Sequence, residues 1–129
     1  MDFGEFLGRL ERRRDYRDQV VHVEVVPARA ARYADLAAPL PAPLEDYLRR
    51  QDIDRLYTHQ VDAVAHVRAG RDVVVVTATA SGKTLCYNLP VAERLLRDPD
   101  ARALYVFPTK ALAQDQLKVL GELAASAPA

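Results

Sequence analysis

The sequence predicts an α/β fold: a parallel sheet with flanking helices, preceded by a helical and extended N-terminal segment. Three observations carry this. Residues 73–76 and 103–107 are continuous apolar runs, each is followed by a helical pattern, and a Ser-Gly-Lys-Thr turn joins the first run to its helix. A run that is apolar at every position suits a strand covered on both faces, as parallel strands are. Strand, helix, strand, helix is the order such a sheet requires.

The elements follow in chain order. Residues 2–17 place Phe3, Phe6, Leu7 and Leu10 at helical spacing ahead of Glu11-Arg12-Arg13-Arg14, an amphipathic helix with a charged end. The arginine run reads first as a solvated face and second as a nucleic-acid contact, because acidic neighbours partly cancel it. Residues 20–26 are rich in valine and stop at Pro27, which predicts one extended segment with His22 as a plain strand residue. Residues 28–43 hold Pro39, Pro41 and Pro43 among alanines and predict an irregular connector. Residues 44–50 predict a short helix. Thr58 can cap a further helix that carries Val61, Val64, Ala65 and Arg68 on its spacing and stops near Ala69 at Gly70. The helix after the first apolar run extends from Lys83 to about Arg97, contains Pro90, and is broken by Asp98-Pro99-Asp100. The second run ends at Pro108, and a last helix extends from Lys110 to about Ala124.

Composition narrows the class of molecule. The 129 residues make one domain or part of a larger one, and half of them are hydrophobic, enough for a packed core. Lys plus Arg and Asp plus Glu are each 18, so no net field attracts DNA or a membrane, and any nucleic-acid contact must be local. A single cysteine, Cys86, rules out a disulfide framework and reads as a small packed residue. No apolar run approaches the roughly 18 residues of a membrane span, and the N-terminus is not a secretory signal. These features predict a cytoplasmic protein. His59 and His66 lie on the helix before the first apolar run without metal-ligand spacing.

The segment Thr77-Ala78-Thr79-Ala80-Ser81-Gly82-Lys83-Thr84 carries the chemistry. A polyphosphate needs inward-pointing backbone N–H groups, a helix N-terminus and a mobile cation. The turn supplies all three, with Lys83 for the β- and γ-phosphates, the Thr84 hydroxyl for Mg²⁺, and Gly82 for close backbone approach. Lysine occurs only at Lys83, Lys110 and Lys118. In a chain of this composition Gly-Lys-Ser/Thr arises by chance about 0.006 times. The strict pattern begins with glycine and often has glycine before the serine; here Thr77 and Ala80 stand there.

Upstream lies Leu56-Tyr57-Thr58-His59-Gln60, and downstream Phe107-Pro108-Thr109-Lys110-Ala111-Leu112-Ala113. Alone, Gln60 reads as a surface helix residue, Thr109 as a helix cap, and Tyr57 suits base stacking and core packing equally. In this order around the phosphate loop, the segments resemble the first RecA-like domain of superfamily 2 nucleic-acid helicases. Asp115 and Ala111 depart from the DEAD-box pattern, which has glutamine and an acidic residue there. The strings LYTHQ, TATASGKTLCYNLP and YVFPTKALAQDQ look closer to DExH-type DNA helicases of the mitomycin repair factor A-like group.

The resemblance implies an incomplete RecA-like P-loop NTPase domain over residues 55–129, with residues 1–54 as N-terminal helix, extended segment and connector. It implies ATP and Mg²⁺ as cofactors, with Gln60 reading adenine and Thr109 and Lys110 touching the backbone of a nucleic acid, DNA rather than RNA. Lys83 and Thr84 are then the catalytic pair. No Asp-Glu-x-Asp/His string occurs, and an arginine finger from a second domain is also required for hydrolysis. The sequence therefore reads as an N-terminal fragment of an ATP-dependent helicase that needs the remainder of that chain for activity. Two alternatives stay open: a complete small P-loop protein of kinase or regulator type, and a non-enzymatic interaction module built on the N-terminal helix.

Overall fold

The computed structural model describes residues 2–28, 30–78 and 81–125. It divides into two compact units, Met1–Ala30 and Ala31–Ala129. The boundary expected after residue 54 falls inside the second unit.

In the first unit, α1 (Phe3–Glu11) starts after Asp2 and ends short of the expected Arg17. It buries none of its residues, so its apolar stripe is open. Residues 20–26 belong to no strand, and Val21 is 93% exposed. A valine-rich run favours extended backbone, but a ladder also needs a partner, and among the described residues this run has none.

The second unit is built on helices. The connector contains β1 (Tyr33–Ala34), which pairs antiparallel with β2 (Leu56–Tyr57), Tyr33 opposite Tyr57. Between them α2 (Ala42–Arg50) follows Pro41, with Pro43 in its first turn where a missing N–H costs nothing. Glu45 lies in that first turn and Arg49 and Arg50 in the last, matching the helix dipole.

Directly after β2 comes α3 (Thr58–Arg68). Thr58 is its first residue rather than its cap; the exposed end is satisfied instead by Gln60, whose Oε1 accepts from the Tyr57 N–H at 2.8 Å. Gly70, at φ 70°, ends α3: its N–H reaches Val67 and that of Arg71 reaches His66. Those two bonds close a left-handed glycine cap.

Two longer helices complete the unit. α4 (Lys83–Arg97) starts at Gly82 and continues through a buried Pro90, while α5 (Lys110–Ala124) starts at Thr109, whose hydroxyl accepts from the Leu112 N–H. α3 packs most extensively on α4, and α2 and α5 also touch α4. Leu44, Leu48, Leu56, Val64, Leu85, Leu89 and Leu123 form the core between them. Ala65, expected on the buried face, is exposed, and Ala63 is buried instead.

The parallel sheet is the main difference from expectation. The only sheet among the described residues is the antiparallel β1–β2 pair. Residues 73–76 and 103–107 form no ladder with one another. Val73 and Val75 are half-buried while Val74 and Val76 are each 88% exposed; Tyr105 is half-buried while Leu104 and Val106 are 91% and 82% exposed. One side of each segment faces the unit and the other is open, so neither is covered on both faces as the apolar runs predict. No helix among the described residues is long and apolar enough to cross a membrane.

Candidate functional site

Residues 81 and 82, just before α4, meet the start of α3. Gln60, 2% exposed, donates through Nε2 to the Gly82 carbonyl at 2.9 Å while its Oε1 holds Tyr57 N–H. Next to it, His59 Nε2 lies 2.9 Å from the Ser81 carbonyl. Two consecutive carbonyls of the loop are thus tied to two consecutive side chains of α3.

Gly82 has φ 71°, and a methyl added there would lie 2.5 Å from Gln60 Nε2. Backbone conformation and close approach both require glycine at this position. The Gly82 carbonyl also accepts from Leu85 N–H, so it points along α4. No side chain caps this helix N-terminus, where the dipole and the first N–H groups favour an anion.

The cation sits on the loop. Lys83 Nζ donates to the carbonyls of Thr77 at 3.1 Å and Ala78 at 2.6 Å and lies 3.5 Å from Ser81 Oγ. Thr77 Oγ1 and Ser81 Oγ are 2.6 Å apart. Among the described residues its partners are neutral carbonyl and hydroxyl oxygens, which leave its charge available to an anion.

Of the residues expected at this site, Gln60, Thr77, Ala78, Ser81, Gly82 and Lys83 are brought together. Thr79 and Ala80 lie outside the described residues. Thr84 occupies the first turn of α4, 3.5 Å from the Tyr87 hydroxyl, which also reaches Gln116 Oε1 on α5 at 3.1 Å. Thr109 and Lys110 stand exposed at the start of α5 and, among the described residues, bond to nothing on the loop. No group of His, Cys, Asp and Glu able to hold a metal occurs among the described residues.

Beside the loop is a cleft of about 420 Å³ lined by Tyr33, Asp52, Ile53, Asp54, Arg55, Tyr57, Gln60, Gly82 and Leu85. Tyr33 stacks on Tyr57 with ring centres 5.2 Å apart, Tyr57 stacks on His59 at 5.7 Å, and the Arg55 guanidinium lies over Tyr33. Tyr33, Arg55 and His59 were not legible as site residues in the sequence. Tyr33 reaches the site only through β1–β2 pairing, and His59 has no metal-ligand spacing.

On the far side of α4, Tyr105 OH donates to Asn88 Oδ1 at 3.1 Å and its ring meets Tyr87 edge-on. Asn88 Nδ2 is buried without a partner among the described residues. Burial pushes the Cys86 thiol and the Tyr105 phenol above their ordinary pKa values.

The DEAD/DEAH box helicase family matches residues 57–128. The uncharacterized ATP-dependent helicase YprA of Bacillus subtilis is 45% identical over 106 residues, 82% of this chain and 14% of that protein. The ATP-dependent helicase hrq1 of Schizosaccharomyces pombe is 40% identical over 119 residues, 90% of this chain and 11% of the relative. The DUF1998 helicase MrfA bound to DNA superposes with a TM-score of 0.81 at 39% identity, over 100% of this chain and 18% of that one. The same helicase bound to DNA and AMPPNP gives 0.80 at 40% identity, over 98% and 17%. The chain thus spans about a seventh of the first of these relatives.

Proposed function

The chain belongs to the DEAD/DEAH box helicase family, and from that premise we propose that it forms the nucleotide-binding part of an ATP-dependent DNA helicase. The observation that carries this is the joining of Gln60 to Gly82 beside Lys83, which sets the aromatic-lined cleft next to the start of α4 and its lysine.

The residues fit ATP with Mg²⁺. Glycine at the tightest point leaves the backbone open to phosphate, Lys83 can exchange its carbonyl partners for phosphate oxygens, and the Thr84 hydroxyl can hold the cation. Tyr33 and Tyr57 offer an aromatic face, and Gln60 keeps a second amide hydrogen and a second oxygen lone pair for the adenine edge. When bound, ATP supplies the phosphoryl bond whose cleavage drives a helicase. This chain's own residues bind and orient it, and hydrolysis calls for further groups.

Thr109 and Lys110 are proposed to meet a DNA backbone. They are exposed at the N-terminus of α5, where the dipole favours phosphate, and the solved neighbours contain DNA.

The test is titration of a fluorescent ATP analogue against the chain and against Lys83→Ala, each checked for folding by circular dichroism. A lost charge-assisted contact is worth roughly 1.5–3 kcal/mol, so affinity should fall about tenfold to a hundredfold. Equal affinities would remove Lys83 from the cradle and overturn the reading.

A further inference from the structure

His59 takes no part in the proposed base or phosphate contacts, yet its ring is held at two points. Its face stacks on Tyr57 at an interplanar angle of 11°, and its Nε2 lies 2.9 Å from the Ser81 carbonyl. A carbonyl oxygen can only accept, so Nε2 carries the proton and donates.

The consequence lies in the peptide plane. In a trans peptide the C=O and the following N–H point in opposite directions. Fixing the Ser81 carbonyl toward α3 therefore turns the Gly82 N–H away from α3. The Gly82 carbonyl, held by Gln60 Nε2 and Leu85 N–H, does the same for the Lys83 N–H. Glycine at φ 71° has little steric preference of its own, so without these bonds the Ser81–Gly82 plane is free to turn over and present an oxygen to the anion.

We infer that His59 is a positioning residue for the phosphate loop: its bond to Ser81 holds the Gly82 N–H oriented for phosphate, while its stack on Tyr57 ties that orientation to the wall of the base cleft. Preorganised donors of this kind act on the phosphates and leave the base contact alone. The inference rests on the ATP-binding reading and adds a residue to it.

Three variants separate the bond from the stack. His59→Phe keeps a ring against Tyr57 and loses the donor, His59→Ala loses both, and His59→Gln replaces the donor at similar reach. Displacement of the fluorescent ATP analogue by ATP and by adenosine gives the two affinities. On this account His59→Phe and His59→Ala weaken ATP about fivefold to tenfold, the range of a neutral hydrogen bond. Adenosine changes less than twofold with His59→Phe, and His59→Gln recovers most of the ATP affinity. Wild-type ATP affinity in His59→Phe would overturn the inference, as would an equal loss of ATP and adenosine with no recovery in His59→Gln. If His59→Ala fails to fold, the Phe and Gln pair decides the matter alone. No binding of the analogue by the wild-type chain would instead overturn the ATP reading, and the inference with it.

Discussion

Gln60 and Gly82 are joined side chain to backbone at 2.9 Å, and the contact is close enough that a single methyl on Gly82 would collide with the Gln60 amide. The pair ties the start of α3 to the start of α4. Gly82→Ala must move Gln60 and also accept a left-handed backbone, which costs a non-glycine residue about 1–2 kcal/mol. Thermal unfolding should show the variant destabilised, and ATP affinity should fall with it. A variant as stable as wild type would mean the loop does not keep φ near 71°.

Gln60 is tested by two substitutions with different consequences. Gln60→Ala leaves the Tyr57 N–H without its side-chain acceptor and the Gly82 carbonyl with the Leu85 N–H alone, and should lower the preference for ATP over GTP more than it lowers triphosphate binding. Gln60→Glu can still accept from Tyr57 but brings a carboxylate oxygen against the Gly82 carbonyl, so it should disturb the loop as well. Competition of ATP and GTP for the fluorescent analogue reads both effects. Unchanged selectivity in both variants would take Gln60 out of base recognition.

What the sequence made legible is what depends on neighbours along the chain. α3, α4 and α5 follow from local signals: Gly70 as a left-handed stop, Gly82 before Lys83, Thr109 behind Pro108, and Asp98-Pro99-Asp100 as a break. The loop residues are legible for the same reason, since Ser81-Gly82-Lys83-Thr84 is contiguous. Pairing between distant segments is not encoded that way. Tyr33 meets Tyr57 through two-residue strands too short for any periodicity, so the aromatic stack beside the loop was invisible. Residues 73–76 are apolar enough for a strand, but composition does not specify which neighbour covers it. The valines at 20–26 show the same limit more plainly, being extended in preference and unpaired among the described residues.

Glu93 is another feature that only the tertiary structure reveals. Its side chain, 4% exposed, takes two bonds from Arg68 and one from Arg97. Arg68 also donates to the carbonyls of Ala38 and Pro39, so it clamps α3, α4 and the connector together. Arg68→Met should destabilise by about 3 kcal/mol, because it leaves a buried carboxylate with one largely exposed partner. Arg97→Ala should cost less, about 1 kcal/mol, because Arg97 is largely exposed and Glu93 keeps both bonds from Arg68. Urea unfolding of the two variants checks the order, and equal losses would contradict the clamp.

Stability should decline in alkali. Burial raises the pKa of Cys86, Tyr105 and Tyr47, with nearby Tyr87 adding to Tyr105 and Glu122 to Tyr47. Above the ordinary values of 9.0 for the thiol and 10.0 for the phenols, the unfolded chain has released protons that the folded chain still holds. The unfolded state then binds fewer protons, and stability falls as pH rises, having been fully present below those values. Melting temperatures from about pH 7 to about pH 11 should be level at first and then drop, with the thiol part of the drop absent in Cys86→Ala. A melting temperature that stays level to the top of that range would mean that these groups are solvated.

The open faces of residues 73–76 and 103–107 predict association. Val74, Val76, Leu104 and Val106 present apolar side chains to water on segments without a ladder partner among the described residues, and unpaired apolar segments of this kind pair with other chains. Size-exclusion chromatography should therefore show elution volume shifting with protein concentration. Leu104→Glu and Val106→Lys place charge on that face while removing almost no buried surface, so they should restore concentration-independent elution with little change in melting temperature. The helical side of the unit, where Leu44, Leu89 and Val64 are packed, is untouched by either change. A wild-type chain that elutes as a monomer at every concentration would show that these faces are covered in solution. Association that persists in the double variant would place the contact on the Val74 and Val76 face or on another apolar surface, such as the groove lined by Leu44, Leu95, Leu96 and Leu120.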